Sequence, residues 1–282
     1  MGLKQSIAKI LSVTGITSAC FYLSKLVYGT HIRVVNYHGT PKLDAINFEA
    51  QLEFYKRHYV SVSRETLDLF FSRQWKSVKP GLIISFDDGY RDNYDVAMPL
   101  LEKHGFVGWF FIPSGLIESC PDEQTLFAGR NKNRLAQVYP DGRYLMTWDE
   151  LKKLSQKHVI GCHTFSHHRM NEKDGEEILE KEIVYARQLL EEKLQQVVDI
   201  YCWVGGEEHT YTHAAAEKIK QAGYKYSFMT NTYPVKQNCN PLQLQRSNIE
   251  SDNSLPLVRF QLSALMDIVY YGKRKRVNRI TL

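Results

Sequence analysis

No Cys-x-x-Cys pair occurs among the five cysteines, Cys20, Cys120, Cys162, Cys202 and Cys239, and this argues against a thiolate metal site or a redox pair. An odd, scattered set is expected to stay reduced, which favours the cytoplasm, although one disulfide with leftover thiols is also compatible. A large charge excess is missing as well: 36 Lys and Arg against 31 Asp and Glu give a formal +5. That surplus mildly favours anionic partners and does not mark a nucleic-acid binder. There is no long unbroken apolar run. Ile7 to Tyr28 is apolar but is interrupted by Ser, Thr and Gly and by Lys9 and Lys25, so it makes a poor spanning helix. Three readings stay open for this segment: a peripheral membrane contact, a weak export signal, or an ordinary amphipathic helix packed on the domain. Thr17-Ser18-Ala19-Cys20 lacks the aliphatic residue that a lipoprotein cleavage site expects at Thr17. Internal repeats and low-complexity segments are absent.

What the chain does have is enough apolar material for one large core: 282 residues, 43% hydrophobic and 12% aromatic. From about residue 31, short β-branched or aromatic runs alternate with stretches of helical periodicity. Strands are expected at Ile32 to Tyr37, Tyr59 to Val62, Leu82 to Phe86, Val107 to Ile112, Val159 to Cys162, Val198 to Val204, Tyr224 to Met229 and Leu242 to Ile249. Helices are expected at Phe48 to His58, Arg64 to Arg73, Asn93 to His104, Trp148 to Lys157, Gly175 to Lys193, His213 to Ala222 and Leu255 to Val269. Such alternation predicts an α/β fold, a distorted (β/α) barrel of about seven to eight parallel strands. The expected organisation is an N-terminal helical segment over 1–30, a barrel over 31–270 with a polar surface insertion near 118–145, and a basic tail over 271–282 carrying Lys273-Arg274-Lys275-Arg276.

Two strand ends carry the chemistry. Leu82-Ile83-Ile84-Ser85-Phe86 ends abruptly in Asp87-Asp88-Gly89, which puts two carboxylates at the edge of the barrel where catalysis takes place. Asp-Asp-Gly is also good turn chemistry, so on its own it decides little. Val159 to Cys162 ends in His163-Thr164-Phe165-Ser166-His167-His168. If the chain turns helically there, His163 and His167 share a face and can ligate one ion. His and Asp donors suit zinc, while cobalt, nickel or manganese also fit.

With these two motifs in place, the sequence resembles the NodB-homology polysaccharide deacetylases. The family's Thr/Ser-Phe-Asp-Asp-Gly motif matches Ser85 to Gly89, and its His-Ser/Thr-x-x-His motif matches His163 to His167. Asn36-Tyr37-His38-Gly39, Met146 to Leu151 and Ala222-Gly223-Tyr224 add to the similarity, which runs over about residues 31 to 250. The resemblance implies that Asp88, His163 and His167 bind the metal and that Asp87 is the general base. It also implies a substrate that is an N-acetylated carbohydrate: a polysaccharide, an oligosaccharide or a lipid-linked glycan.

The third motif departs from the family. Instead of Arg-x-Pro-Tyr-Gly or Ala-Tyr-Pro-Tyr-Gly, the strand end reads Tyr201-Cys202-Trp203-Val204-Gly205-Gly206, closer to the subgroup that lacks the arginine. Gly205 can still offer its amide to an oxyanion, and Arg246 in Leu244 to Ile249 is a candidate replacement for the arginine that orients Asp87. No histidine remains after residue 240, so the family's late general acid has no counterpart. Candidates are His38, His168, His209 and His213, with His38 preferred because it ends the first strand. Tyr90 and Trp203, with Trp109 as a further choice, are candidates to stack on a sugar ring, although aromatics at such positions are more often core. An O-acetyl esterase and a catalytically degenerate glycan-binding scaffold stand as the rival functions.

Overall fold

In the computed structural model, residues 15–130 and 139–282 are described. Residues 7–14 of the N-terminal apolar run and 131–138 of the insertion lie outside that range. Among the described residues nine short strands form one all-parallel sheet: β1 (Ile32–Tyr37), β2 (Val60–Ser61), β3 (Gly81–Phe86), β4 (Gly108–Ile112), β5 (Val159–Cys162), β6 (Ile200–Cys202), β7 (Tyr226–Met229), β8 (Leu244–Gln245) and β9 (Ser247–Asn248). Their order is β8-β7-β6-β5-β4-β3-β1-β9, with β2 paired to β3. Arg246 alone separates β8 from β9 in the chain, yet Leu244 pairs with Phe228 of β7 and Ser247 with Val35 of β1. A single late segment therefore bridges the first and last strands and brings the barrel to near closure.

The central strands β3 and β4 are largely apolar because both faces are covered. Ile32 and Val34, Ile83, Trp109 and Phe111, Ile200 and Cys202, and Tyr226 and Phe228 form one buried cluster. Their in-register neighbours Val35, Tyr37, Leu82, Ile84, Phe86, Phe110, Ile112 and Tyr201 belong to a second cluster with the surrounding helices. This alternation by two assigns the first set to the barrel interior and the second to the helix layer. Each fully buried large side chain contributes roughly 1.5–3 kcal/mol, and the alternation fixes which strand-end residues look into the barrel mouth. Asp87 continues the interior row through Ile83 and Ser85.

Some elements depart from expectation. The long helix read over Leu255 to Val269 is two helices, Leu255–Gln261 and Ala264–Val269, because Ser263 turns back and its hydroxyl donates to the Phe260 carbonyl at 2.7 Å. The insertion contains a helix, Pro121–Arg130, that buries Gln124, Phe127 and Ala128, so it is more than a polar surface loop. The basic tail is a helix, Tyr271–Ile280, packed on the barrel. Its Arg274 is buried over the Tyr233 ring at 4.1 Å and donates to the Thr232 carbonyl at 2.9 Å.

The first described helix, Ile16–Tyr28, inserts Phe21 against Phe54, His58 and Tyr59 and leaves Tyr22, Leu23 and Val27 exposed. Among the described residues no helix is long and apolar enough to cross a membrane. Tyr28 donates to Asp267 at 2.8 Å. The same carboxylate receives both guanidinium nitrogens of the buried Arg33 at 2.7 Å. That pair ties the terminal helices to β1, and removing either partner would leave a buried charge at a cost of about 3–5 kcal/mol.

Candidate active site

At the C-terminal ends of the strands a cleft of about 290 Å³ opens, with Asp87, Asp88, His163, His167, His38 and Gly205 among its walls. Asp87 keeps its backbone in the ladder, its N–H donating to the Tyr37 carbonyl at 2.9 Å, so its side chain inherits the inward direction of β3. The chain then turns sharply: Asp88 has φ 75° and Gly89 φ 69°. A left-handed non-glycine residue costs about 1–3 kcal/mol, strain of the kind that concentrates at functional sites. The turn aims Asp88 across the mouth, away from Asp87.

His163 likewise extends its strand, its N–H donating to the Ile112 carbonyl at 2.9 Å. The segment after it is not helical. Thr164 and His167 take left-handed conformations, φ 65° and 60°, and this loop, rather than a helical face, brings the two rings to a centroid separation of 5.2 Å. Glu182, which the sequence did not flag, supports the loop by accepting from the Phe165 and Ser166 amides at 3.0 and 2.9 Å and from the Ser166 hydroxyl at 2.8 Å. Phe127 of the insertion helix closes the outer side, edge-on to His167 at 5.1 Å.

Asp88, His163 and His167 present donor atoms within 4.8 Å of one another. His167 Nε2 lies 2.9 Å and His163 Nε2 3.6 Å from Asp88 Oδ1, while no well-aligned hydrogen bond reaches that buried oxygen. His163 Nδ1 lies 2.9 Å from the Cys202 carbonyl and must donate to it, which leaves the Nε2 lone pair facing Asp88. Burial pushes the His163 pKa down to about 4, so the ring is neutral. For Asp88, burial opposes ionisation, but the neighbouring His167 and His38 hold its carboxyl far below the usual range. Two ring nitrogens and one ionised oxygen converging on a point fit a divalent cation. Asp87, His163 and Cys202 form an overlapping group, and it fits less well. Burial raises the Cys202 thiol well above its ordinary pKa, and Asp87 already has a cationic partner.

That partner is Arg246. Its Nη1 and Nη2 donate to the two oxygens of Asp87 at 2.6 and 2.9 Å, and Nη1 also reaches Ser85 Oγ at 3.2 Å. Arg246 is 1% exposed and its guanidinium rests over the Phe111 ring at 5.3 Å. Burial alone would raise the Asp87 pKa, but the Arg246 charge lowers it below the ordinary carboxylate value. His38 lies on the opposite wall, its Nε2 4.0 Å from Asp87 Oδ2 and its Nδ1 3.1 Å from Glu250 Oε1. Burial would depress the His38 pKa, yet Glu250 outweighs it and the net shift is upward.

A model of the polysaccharide deacetylase family matches residues 76–227, just over half of the 282. The chain belongs to the polysaccharide deacetylase family. YxkH of Bacillus subtilis (strain 168), named as a polysaccharide deacetylase, is 23% identical over 185 residues, which span 65% of this chain and 57% of that protein. The chain thus matches little more than half the length of that curated relative. Among solved structures, the deacetylase PplD of Streptococcus pyogenes in complex with acetate superposes with a TM-score of 0.65 at 20% identity, covering 83% of this chain and 98% of that one. A de-N-acetylase of Aggregatibacter actinomycetemcomitans gives a TM-score of 0.64 at 16% identity over 82% and 99%. These likenesses show the deacetylase barrel fold.

Seven of the nine residues singled out from sequence line the cleft or, for Arg246, bond directly to a residue that does. Tyr90 and Trp203 do not. Tyr90 is 1% exposed and packs against Phe127, while Trp203 is 1% exposed between Tyr201 and Tyr211. Neither offers a face to a sugar; both are core. The passed-over histidines lie elsewhere, His168 bonding to Asp174 at 2.9 Å. Glu250 and Lys273 were missed. Glu250 is one residue past Ile249 at the end of the last strand segment, and that position is the signal that would have found it.

Proposed function

We propose that this family member hydrolyses the acetamide of an N-acetylhexosamine unit in a glycan, with a divalent cation, zinc in the first instance, held by Asp88, His163 and His167. The observation that carries this reading is the pairing, across one cleft, of an Arg246-locked carboxylate with that three-donor cluster. A cation bound there supplies a charge that polarises the acetyl carbonyl and acidifies a nearby water.

Asp87 takes the proton of the attacking water. Arg246 keeps it ionised, and so depressed a carboxyl is a weak base, adequate only for a water that is already acidified. The Gly205 N–H faces the carbonyl oxygen as negative charge develops there, a role worth roughly 3 kcal/mol per donor. His38, its Nδ1 proton directed to Glu250, delivers its Nε2 proton to the departing nitrogen. The C–N bond breaks, and acetate and a free amine result. This last contact favours an amide over an ester substrate. An amine cannot leave unprotonated, whereas an alkoxide needs less help.

The test is acetate release from N-acetylglucosamine oligomers and from O-acetylated xylan, with zinc or cobalt and after chelation. Release from the amide substrate, lost on chelation and regained with metal, is expected, and Asp87→Asn is expected to lower kcat by about 10²–10⁴-fold. Glycan binding with no metal-dependent release, unchanged by Asp87→Asn, would establish the scaffold reading instead.

A further inference from the structure

The loop that carries the Gly205 amide has two consecutive glycines, Gly205 and Gly206, and glycine has more backbone freedom than any other residue. Gly205 sits at φ 87°, a conformation closed to most side chains, so the loop needs glycine there. An oxyanion donor stabilises charge only if it is already in place when the charge appears. A restraint from outside the loop adds to the bonds that Glu207 makes within it.

Helix Tyr271–Ile280 provides it. Lys273 Nζ donates to the Gly206 carbonyl. One turn further on, Arg276 grips the carboxylate of Glu208, with Nε 2.9 Å from Oε2 and 3.1 Å from Oε1. From the other side Glu207 accepts from the Gly206 amide at 3.1 Å and from Arg169 at 3.2 Å. The two carboxylates near Lys273 are thus each taken by an arginine. Among the described residues no carboxylate comes within ion-pairing distance of the Lys273 ammonium, which is half-buried on the cleft wall. Its hydrogen bond is to the loop backbone.

We propose that Lys273 and Arg276 are positioning residues, clamping the Gly205–Glu208 loop from the C-terminal helix so that the Gly205 amide stays aimed at the reacting acetyl group. This rests on the reading of Gly205 as the oxyanion donor. The clamp acts on the transition state, where charge sits on the oxygen, and hardly on the bound ground state. Removing it lowers kcat and leaves KM nearly alone.

The experiment is steady-state kinetics of the full chain on the N-acetylated oligomer, with wild type, Lys273→Met, Lys273→Arg and Asp87→Asn in parallel. Lys273→Met is expected to lower kcat by about tenfold to a hundredfold, the scale of a misplaced catalytic contact, with KM within about twofold and an unchanged melting temperature. Lys273→Arg, which still donates, should recover most of the loss. A higher KM at constant kcat would make Lys273 a substrate contact and overturn the clamp, as would an unaltered kcat. A second arm uses the exchange of Glu208→Arg with Arg276→Glu: each single change should slow turnover and the double change restore it, and a double variant no better than either single one counts against the clamp. If Asp87→Asn keeps full activity, the proposed function itself fails, an outcome separate from any result at Lys273.

Discussion

The two walls of the cleft are built by different means. On one wall, Asp87 and Asp88 come from a single turn after β3, and His163 and His167 from a single loop after β5. Each pair is local in sequence, so two short motifs write that wall in full. The opposite wall is assembled from afar: His38 at the end of β1, Gly205 after β6, Arg246 and Glu250 from the closing segment, and Lys273 from the last helix. Those positions are up to 235 residues apart and meet because the final segment closes the barrel. In the proposed mechanism the cation site and the base are encoded locally, and the base's counter-charge, the proton donor and the oxyanion donor by tertiary closure. Damage to the second wall should therefore be felt in folding as well as in catalysis.

Arg246→Met tests this contrast most severely. It leaves Asp87 buried without its counter-charge, so stability should fall by about 3–5 kcal/mol and turnover by about a hundredfold or more. His167→Ala, on the local wall, removes a partly exposed ring from a loop. It should abolish metal-stimulated turnover while costing about 1 kcal/mol or less of stability. Urea unfolding of the two variants beside their kinetics is the check. Equal destabilisation would dissolve the distinction between the walls.

A smaller effect is expected at Glu250, which acts through His38. Glu250→Gln keeps the shape of the side chain but removes the charge that raises the His38 pKa above its ordinary value. A raised folded-state pKa keeps His38 protonated to higher pH, so loss of Glu250 moves the alkaline limb of the kcat profile to lower pH. Turnover should drop by about tenfold. A profile that does not move would show that His38 is not the proton donor.

The same division explains what could be read from sequence. β1 and β5 were legible to the residue, because a buried parallel strand is a short run rich in apolar, β-branched or aromatic residues bounded by turns. Asp87, Asp88, His163 and His167 were legible because each lies one step beyond such a run. Arg246 could be named as a candidate only because its segment resembles a family pattern; nothing local says that it reaches Asp87. Glu250 had only its place one step past the last strand segment to mark it, and Glu182 and Lys273 left no signal, since a charged residue near a strand or helix end is usually solvated. Tyr90 and Trp203 misled for the converse reason. At a strand end, alternation alone does not decide whether a large ring turns into the cleft or back into the core, and here neighbouring aromatics took both.

The smallest effect on turnover concerns the turn after β3 and tests whether the local wall is as tolerant as claimed. Asp92, five residues after Asp87, is buried at 3% exposure with Oδ1 lacking a partner. Burial, with Asp95 and Asp44 nearby, pushes its carboxyl up to about 7. A raised carboxyl pKa means that the native state binds its proton more tightly than the unfolded chain, whose value stays near 3.8. Stability should therefore be unaffected below about pH 4, decline as pH climbs from about 4 to about 7, and level off above. His31 works in the opposite sense. Burial lowers its pKa to about 4, so its contribution rises with pH across nearly the same interval, and the wild-type curve alone can look flat. The difference between Asp92→Asn and wild type cancels the His31 part. That difference should be near zero at pH 4 and grow to roughly 2 kcal/mol in favour of the variant at pH 8, with kcat at neutral pH unchanged within about twofold. Urea denaturation at four or five pH values measures it. A difference that does not vary with pH would mean that Asp92 is ionised in the native state, and that the turn after β3 holds a buried charge as the opposite wall does.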